Sequence, residues 1–214
     1  SYCITKLARG KLESRSLEKI KTRLKSLLEK SVKEIRLSCQ DTASYGIDLG
    51  TDLAELLTEL TSVEGDYKIR VGMMNPDTVK HLESEVIESL KDEHIYNFLH
   101  LPLQSGSDKV LERMNRRYTV SEWKSIVKDF RDELPDLSLS TDVIVGFPGE
   151  SKDDFDRTGD VLNLTICTSV IYHEAIITGG YYEPYAYLGR RLCAPVIRPN
   201  TTRLVPTTST VVFR

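Results

Sequence analysis

The chain has 214 residues, 29% of them charged, and a formal net charge of −3. That length suits one large domain or one and a half ordinary ones. The balance predicts a globular chain and gives no global basic excess to argue for nucleic-acid binding. No run approaches a membrane span, and Ser1 to Gly10 does not read as a signal peptide, so the cytosol is the expected compartment and no membrane partner is expected. A start at Ser1 without methionine predicts a fragment or a processed product. Cys3, Cys39, Cys167 and Cys193 lie far apart and form no CxxC pair, so four reduced thiols are expected.

In chain order, residues 1–15 read as a basic loop. Ser16 is expected to cap a helix predicted over 17–30, with Leu17, Ile20, Leu24, Leu27 and Leu28 at helical spacing. A strand, Glu34–Ser38, is followed by the polar loop Gln40–Gly46. Thr51 and Asp52 open a helix with Leu53, Leu56, Leu57 and Leu60 on one face, and Tyr67–Val71 is strand-like. Pro76 suits the first turn of a helix predicted over 76–90.

An apolar strand over 95–101 then empties through Gln104-Ser105-Gly106-Ser107 into a helix predicted over 107–114. A helix N-terminus presents free N–H groups and the positive end of a dipole, which suits a carboxylate or phosphate. Ser107 as an ordinary N-cap and Gly106 as an ordinary turn residue explain the same stretch, so both readings stand. Thr119 with Glu122 makes a capping box for a helix over 120–133. Leu137–Val145 is a strand, Gly146–Glu150 a glycine turn, and Ser151 caps a helix over 152–162. Strand and helix alternate four times, which predicts parallel strands with covering helices. The polar turns at 39–46, 72–76, 102–107 and 146–150 all follow strands. They would share the carboxyl-end face, where α/β sheets bind ligands.

Five motifs in order carry a family resemblance: Tyr2-Cys3-Ile4 with Lys6–Gly10, Gln40–Gly46, Arg70–Pro76, Leu101–Ser107 and Ser140–Glu150. Together they resemble the radical S-adenosylmethionine methylthiotransferases, and most the archaeal and eukaryotic branch acting on threonylcarbamoyladenosine in tRNA. The resemblance implies a partial TIM-like (βα) barrel, incomplete at its N-terminus, over residues 1–157. It implies a 4Fe-4S cluster on a CxxxCxxC loop and S-adenosylmethionine on its open iron, cleaved to a 5′-deoxyadenosyl radical. Cys3 matches the third cysteine of that loop and Tyr2 the aromatic before it; the other two cysteines would precede residue 1.

For S-adenosylmethionine, the resemblance points to Glu13 and Arg15 (Glu13 one place off the usual acidic position), to Gln40 and Asp41 near the ribose, and to Gln104, Ser105 and Arg116 near the methionyl carboxylate or a phosphate. It also points to Asp142 and Ile144 in the strand that resembles the adenine-contacting one. Each polar residue among them also reads as a turn or cap residue. His100 could be a polar group at the barrel mouth, with a hydrogen-bonded core histidine the preferred reading, and Arg113, Arg116 and Arg117 could face tRNA phosphates or solvent.

The resemblance ends near residue 157, where composition also changes: Lys152 is the last lysine, and Tyr172, Tyr181, Tyr182, Tyr185 and Tyr187 crowd together. Residues 158–214 are expected to be a divergent or frame-shifted tail, poorly ordered. The implied activity is methylthio transfer onto a tRNA anticodon stem-loop, with an electron donor as a further partner, and the chain alone is expected to be inactive. Another radical S-adenosylmethionine enzyme, or a cluster-free pseudoenzyme binding S-adenosylmethionine or RNA, are the rival readings. No residue pattern specifies an oligomeric state.

Overall fold

The computed structural model describes residues 10–165, 167, 169–174 and 208–212; of 169, 172–174 and 208–212 the backbone alone is described. The elements run α1 (Leu17–Leu28), β1 (Glu34–Ser38), a 3-10 turn (Thr42–Ser44), α2 (Leu53–Thr61), β2 (Lys68–Val71), α3 (Pro76–Val79) and α4 (Glu83–Leu90). They continue with β3 (Phe98–His100), α5 (Asp108–Arg113), α6 (Val120–Glu133), β4 (Ser138–Val145), α7 (Lys152–Leu164), β5 (Ser169–Glu174) and β6 (Thr208–Val212).

Every ladder is parallel. One has the order β2–β1–β6 and the other β3–β4–β5. A seam joins them: Ile69 bridges Ile95, the Tyr96 N–H donates to the Ile69 carbonyl at 2.9 Å, and the Met74 N–H donates to the His100 carbonyl at 2.9 Å. The strand sequence β6–β1–β2–β3–β4–β5 with crossing helices is that of a partial (βα) barrel, and no ladder closes β5 onto β6 among the described residues.

Alternation along the strands gives the sheet two unlike faces. Ile35, Leu37, Ile69, Val71 and Leu99 are buried, while Glu34, Arg36, Arg70, Phe98 and His100 between them are half-buried or exposed. The buried face meets the apolar stripes of the helices: Ile20, Leu24 and Leu27 of α1, Leu56, Leu57 and Leu60 of α2, Val86 and Leu90 of α4, and Trp123, Ile126 and Phe130 of α6. These form one core, and helical amphipathicity explains where each helix lies. Trp123, the single tryptophan, is fully buried, and its indole N–H donates to the Leu101 carbonyl at 3.2 Å.

Caps account for most boundaries. Asp52 accepts the Glu55 N–H at 2.9 Å, and the box read from Thr119 and Glu122 is complete. Ser151 and Asp154 form a second box at α7. Three expectations change. Ser16 precedes α1 without a side-chain cap bond, and only its carbonyl is engaged, by the Lys19 and Ile20 N–H groups. The single helix over 76–90 divides into α3 and α4, because the chain tightens through i→i−3 bonds at His81 and Leu82, and Leu82 then turns against the core. The strand over 95–101 keeps ladder pairing at Phe98–His100 only; Ile95 contributes the isolated bridge, and the Leu101 N–H donates to the Ser140 carbonyl at 2.9 Å. The expectation of a poorly ordered tail falls mainly on residues outside the described ones; within the tail, β6 lies along β1 with Glu34 opposite Thr208 and Ser38 opposite Val212.

Candidate functional site at the strand ends

Parallel strands bring their carboxyl-end turns to one face, and hydrogen bonds tie each turn here to the next. After β1, the Thr42 N–H donates to the Met73 carbonyl at 2.8 Å. Asp41 accepts the Asn75 N–H at 2.9 Å through Oδ1 and the Thr78 hydroxyl at 2.7 Å through Oδ2. Burial pushes the Asp41 carboxyl up from its ordinary range, and the accepted hydrogen bonds oppose that rise. Asp41 therefore joins two turns with both oxygens, and its neighbour Gln40 is exposed above them. The loop carrying Glu13 and Arg15 is attached to the same region by backbone and by Ser14. The Ser14 N–H donates to Asp48 Oδ2 at 2.7 Å, Ser14 Oγ accepts the Gly46 N–H at 3.0 Å, and the Tyr45 hydroxyl donates to the Arg15 carbonyl at 3.0 Å. The Glu13 and Arg15 side chains are exposed.

The turn after β3 is the most constrained. Thr141 Oγ1 accepts the Leu103 N–H and donates to the Leu101 carbonyl, both at 2.8 Å, and the Tyr118 hydroxyl reaches the Pro102 and Leu103 carbonyls at 3.2 Å. Gln104 donates its N–H to the Asp142 carbonyl at 2.8 Å and accepts the Ile144 N–H at 2.9 Å. Its φ of 65° lies in the left-handed region, a strain that surrounding structure has to hold in place. The Gln104 side chain is more than nine-tenths buried, yet among the described residues its amide has no hydrogen-bond partner.

Ser105 is sealed from solvent; its hydroxyl accepts the Ser107 N–H at 3.2 Å. Gly106 donates to Thr158 Oγ1 at 2.8 Å, and a Cβ there would meet the Thr158 Cα at 2.5 Å, so only glycine lets α7 approach this closely. Ser107 precedes α5 but does not cap it. Its hydroxyl donates to Asp154 Oδ1 at 2.7 Å, and Asp154 also accepts from Ser151 and Lys109. The hydroxyls of Ser151 and Ser107 hold the Asp154 carboxyl far below the usual carboxylate range.

On β4, Asp142 Oδ2 lies 3.1 Å from His100 Nε2, with both side chains largely buried. The expected hydrogen-bonded His100 is therefore present, and its partner is a carboxylate of the site. After β4, the Gly146 N–H donates to Glu150 Oε2 at 2.6 Å, and burial pushes the Glu150 carboxyl up. The Arg113 guanidinium crosses this turn and donates to the Gly149 carbonyl at 2.9 Å.

Of the residues the sequence singled out, Gln104, Asp142 and Ile144 are joined in one hydrogen-bonded ribbon, with Asp41 two strands away. Arg116 is half-buried in the turn after α5. Tyr2 and Cys3 lie outside the described residues. Thr141, Thr158 and Asp154 were not assigned to this face by the sequence, and the partner of His100 was not named, because the contacting residues are 38 to 53 residues apart. A separate cavity of about 640 Å³, lined by Asp52, Glu55, Glu85, Glu88 and other residues of the α2–α4 region, opens within the helix layer and not at the strand ends.

A parallel α/β sheet with linked turns at its carboxyl ends and a strained, uncommitted glutamine among them defines a ligand-binding domain of the partial-barrel class. Residues 1–162 match the sequence profile described as the Radical SAM superfamily, and the chain belongs to that superfamily. A probable threonylcarbamoyladenosine tRNA methylthiotransferase of Pyrococcus horikoshii is 52% identical over 162 residues, covering 76% of this chain and 38% of the relative. The threonylcarbamoyladenosine tRNA methylthiotransferase of Drosophila melanogaster is 36% identical over 208 residues, covering 95% of this chain and 37% of the relative. The chain thus spans less than two-fifths of either. The structure of the radical S-adenosylmethionine methyltransferase TsrM from Kitasatospora setae, with cobalamin and a [4Fe-4S] cluster, superposes with a TM-score of 0.60. It is 13% identical, covers 75% of this chain and 31% of its own, and so speaks for the fold.

The superfamily uses S-adenosylmethionine and a 4Fe-4S cluster. Among the described residues no three His, Cys, Asp or Glu side chains converge to hold a metal. Cys39 and Cys167 are partly buried, and burial pushes the Cys167 thiol up, away from the thiolate that ligation needs. Cluster ligation by the described residues therefore finds no support, and no step is routed through the cluster. S-adenosylmethionine fits better: the Gln104 amide makes no internal hydrogen bond among the described residues and is not sealed from solvent, so it can serve the polar end of that ligand.

Proposed function

We propose that this chain is the radical domain of a tRNA methylthiotransferase, using S-adenosylmethionine to add a methylthio group to threonylcarbamoyladenosine next to the anticodon. The observation that carries the reading is the 52% identity to a probable enzyme of that name across the stretch that holds all four strand-end turns. S-adenosylmethionine, when bound, supplies the methyl group and the radical precursor. The chain's own residues would hold it: Gln104 through its free amide, Gln40 from the neighbouring exposed turn, and the Asp142–Ile144 segment along its flank. The His100–Asp142 contact keeps the carboxylate directed along β4, and the buried Thr141 and Tyr118 hydroxyls keep the Gln104 turn from relaxing. Cys3 would furnish a cluster ligand. The tRNA, an electron donor and the remaining parts found in longer relatives complete the reaction.

The test is nucleoside mass spectrometry of tRNA incubated with the full-length, cluster-reconstituted protein, S-adenosylmethionine and a reductant. A methylthio group in place of hydrogen on threonylcarbamoyladenosine is the expected product. Formation of 5′-deoxyadenosine with no methylthio product would favour a different radical reaction. No turnover of S-adenosylmethionine at all would leave only a binding role.

A further inference from the structure

The face of the sheet that the helices do not cover is unusual for a parallel sheet. Such sheets are buried on both sides, and barrel interiors are packed with branched apolar side chains. Here it carries Arg36 on β1, Arg70 on β2, Phe98 and His100 on β3, and Ser140 and Asp142 on β4. The register makes them neighbours: Arg36 lies opposite Arg70, and His100 opposite Ser140. Two of the basic side chains on this face have a carboxylate partner, and Lys68 reaches the Glu93 carbonyl instead. Glu34 Oε1 accepts from Arg36 Nε at 2.7 Å, and Asp142 meets His100. The Arg70 guanidinium lies 4.1 Å from the Phe98 ring centroid, half-buried, and among the described residues no carboxylate pairs with it. A guanidinium held over an aromatic ring keeps N–H groups available to an anion. Tyr96, 38% exposed, lies at the seam, where its N–H donates to the Ile69 carbonyl beside Arg70 in sequence.

We propose that Arg70, held over Phe98, receives the threonyl carboxylate of the modified adenosine and so makes the site select the carboxylate-bearing base. The inference rests on the methylthiotransferase reading and names the group that would read its substrate. A planar fork offers a carboxylate two parallel hydrogen bonds, and the partly desolvated position strengthens them. The hydrophobic threonyl methyl and the ureido plane would lie against Phe98.

The experiment compares three anticodon stem-loop RNAs by fluorescence anisotropy with the full chain. One carries threonylcarbamoyladenosine, one the same base with its carboxylate turned into an amide, and one plain adenosine. The wild type is expected to bind the carboxylate form about tenfold more tightly than the amide, about 1.4 kcal/mol. In R70Q the ratio should fall to within about twofold. R70K keeps the charge and loses the fork, so its ratio should lie between, and it serves if R70Q melts early. An undiminished ratio in R70Q or R70K overturns the assignment, as does an equal loss for all three RNAs, which would mark a general phosphate contact. A wild type indifferent to the carboxylate, or one that binds none of the RNAs, overturns it while leaving the methylthiotransferase reading to the nucleoside analysis.

Discussion

Asp154, buried, and Asp41, half-buried, are carboxylates that bind loops together, yet their environments push them in opposite directions. Asp154 accepts from Ser151, Ser107 and Lys109, so its folded-state acidity is enhanced. It contributes stability that is complete above the ordinary aspartate range near 4 and is lost as pH falls below it. D154N should cost about 1–3 kcal/mol at neutral pH, since the hydroxyls of Ser107 and Ser151 lose a charged acceptor. It should also lower the melting temperature less at pH 3 than at pH 7, and equal losses at both pH values would contradict this account. For Asp41 burial outweighs the hydrogen bonds, so the folded state prefers the protonated form more than the unfolded chain does. Its charge therefore costs stability as pH rises through the aspartate range. D41N keeps an acceptor for the Asn75 N–H and sheds that charge, so it should melt at or above the wild type at pH 7, whereas D41A should melt below it by about 1–2 kcal/mol.

Gln104 separates stability from binding at a single position. A non-glycine residue in the left-handed region carries about 1 kcal/mol of strain, which glycine would relieve at a comparable cost in chain entropy. Q104G should therefore melt within a few degrees of the wild type while binding S-adenosylmethionine more weakly by calorimetry. Unchanged affinity would remove the amide from the site.

At the scale of elements, Gly106 sets the distance between the β3 turn and α7. G106A places a methyl group against the backbone of Arg157 and Thr158, atoms that cannot swing aside, so α7 must shift as a unit. A destabilisation of about 1–3 kcal/mol is expected in urea titration. The same pair of elements illustrates what was legible beforehand. Local patterns reported local structure: the leucine spacing of α1 and α2, the Thr119–Glu122 box and the start of α7 at Ser151 all stand where the sequence placed them. Ser107 was legible as a cap by type, but its true acceptor, Asp154, is 47 residues away, and only the parallel register brings them together. The division of the 76–90 helix was hidden for a similar reason: nothing local to Lys80–Leu82 breaks a helix, and the turn of Leu82 toward the core does. At the site, the turns themselves were legible because they follow strands, while the left-handed Gln104 and the His100–Asp142 contact depend on which strands become neighbours.

The whole molecule is two parallel ladders joined along β2 and β3. The seam is crossed by the amides of Ile69, Met74 and Tyr96, whereas β3 and β4 share the Phe98–His100 ladder, extended beyond it by the amides of Leu101 and Gln104. Hydrogen exchange should protect the second set more than the first, because few bonds have to break for the ladders to part at the seam. Equal protection would mean that the shared core makes the sheet one cooperative unit. The seam also lies beneath Arg70 and Phe98, so opening there would widen the uncovered face without disturbing the Gln104 turn. No helix of the described residues is long and apolar enough to cross a membrane.

Trp123 gives this architecture an optical consequence. As the single indole in the chain, with its N–H on the Leu101 carbonyl, it makes ultraviolet emission report from one known position, directly behind the strand that leads into Gln104. A blue-shifted spectrum is expected from so dry a setting. Any ligand that draws the β3 turn outward would lengthen that bond and redden or quench the light, so occupancy could be followed in real time without a label.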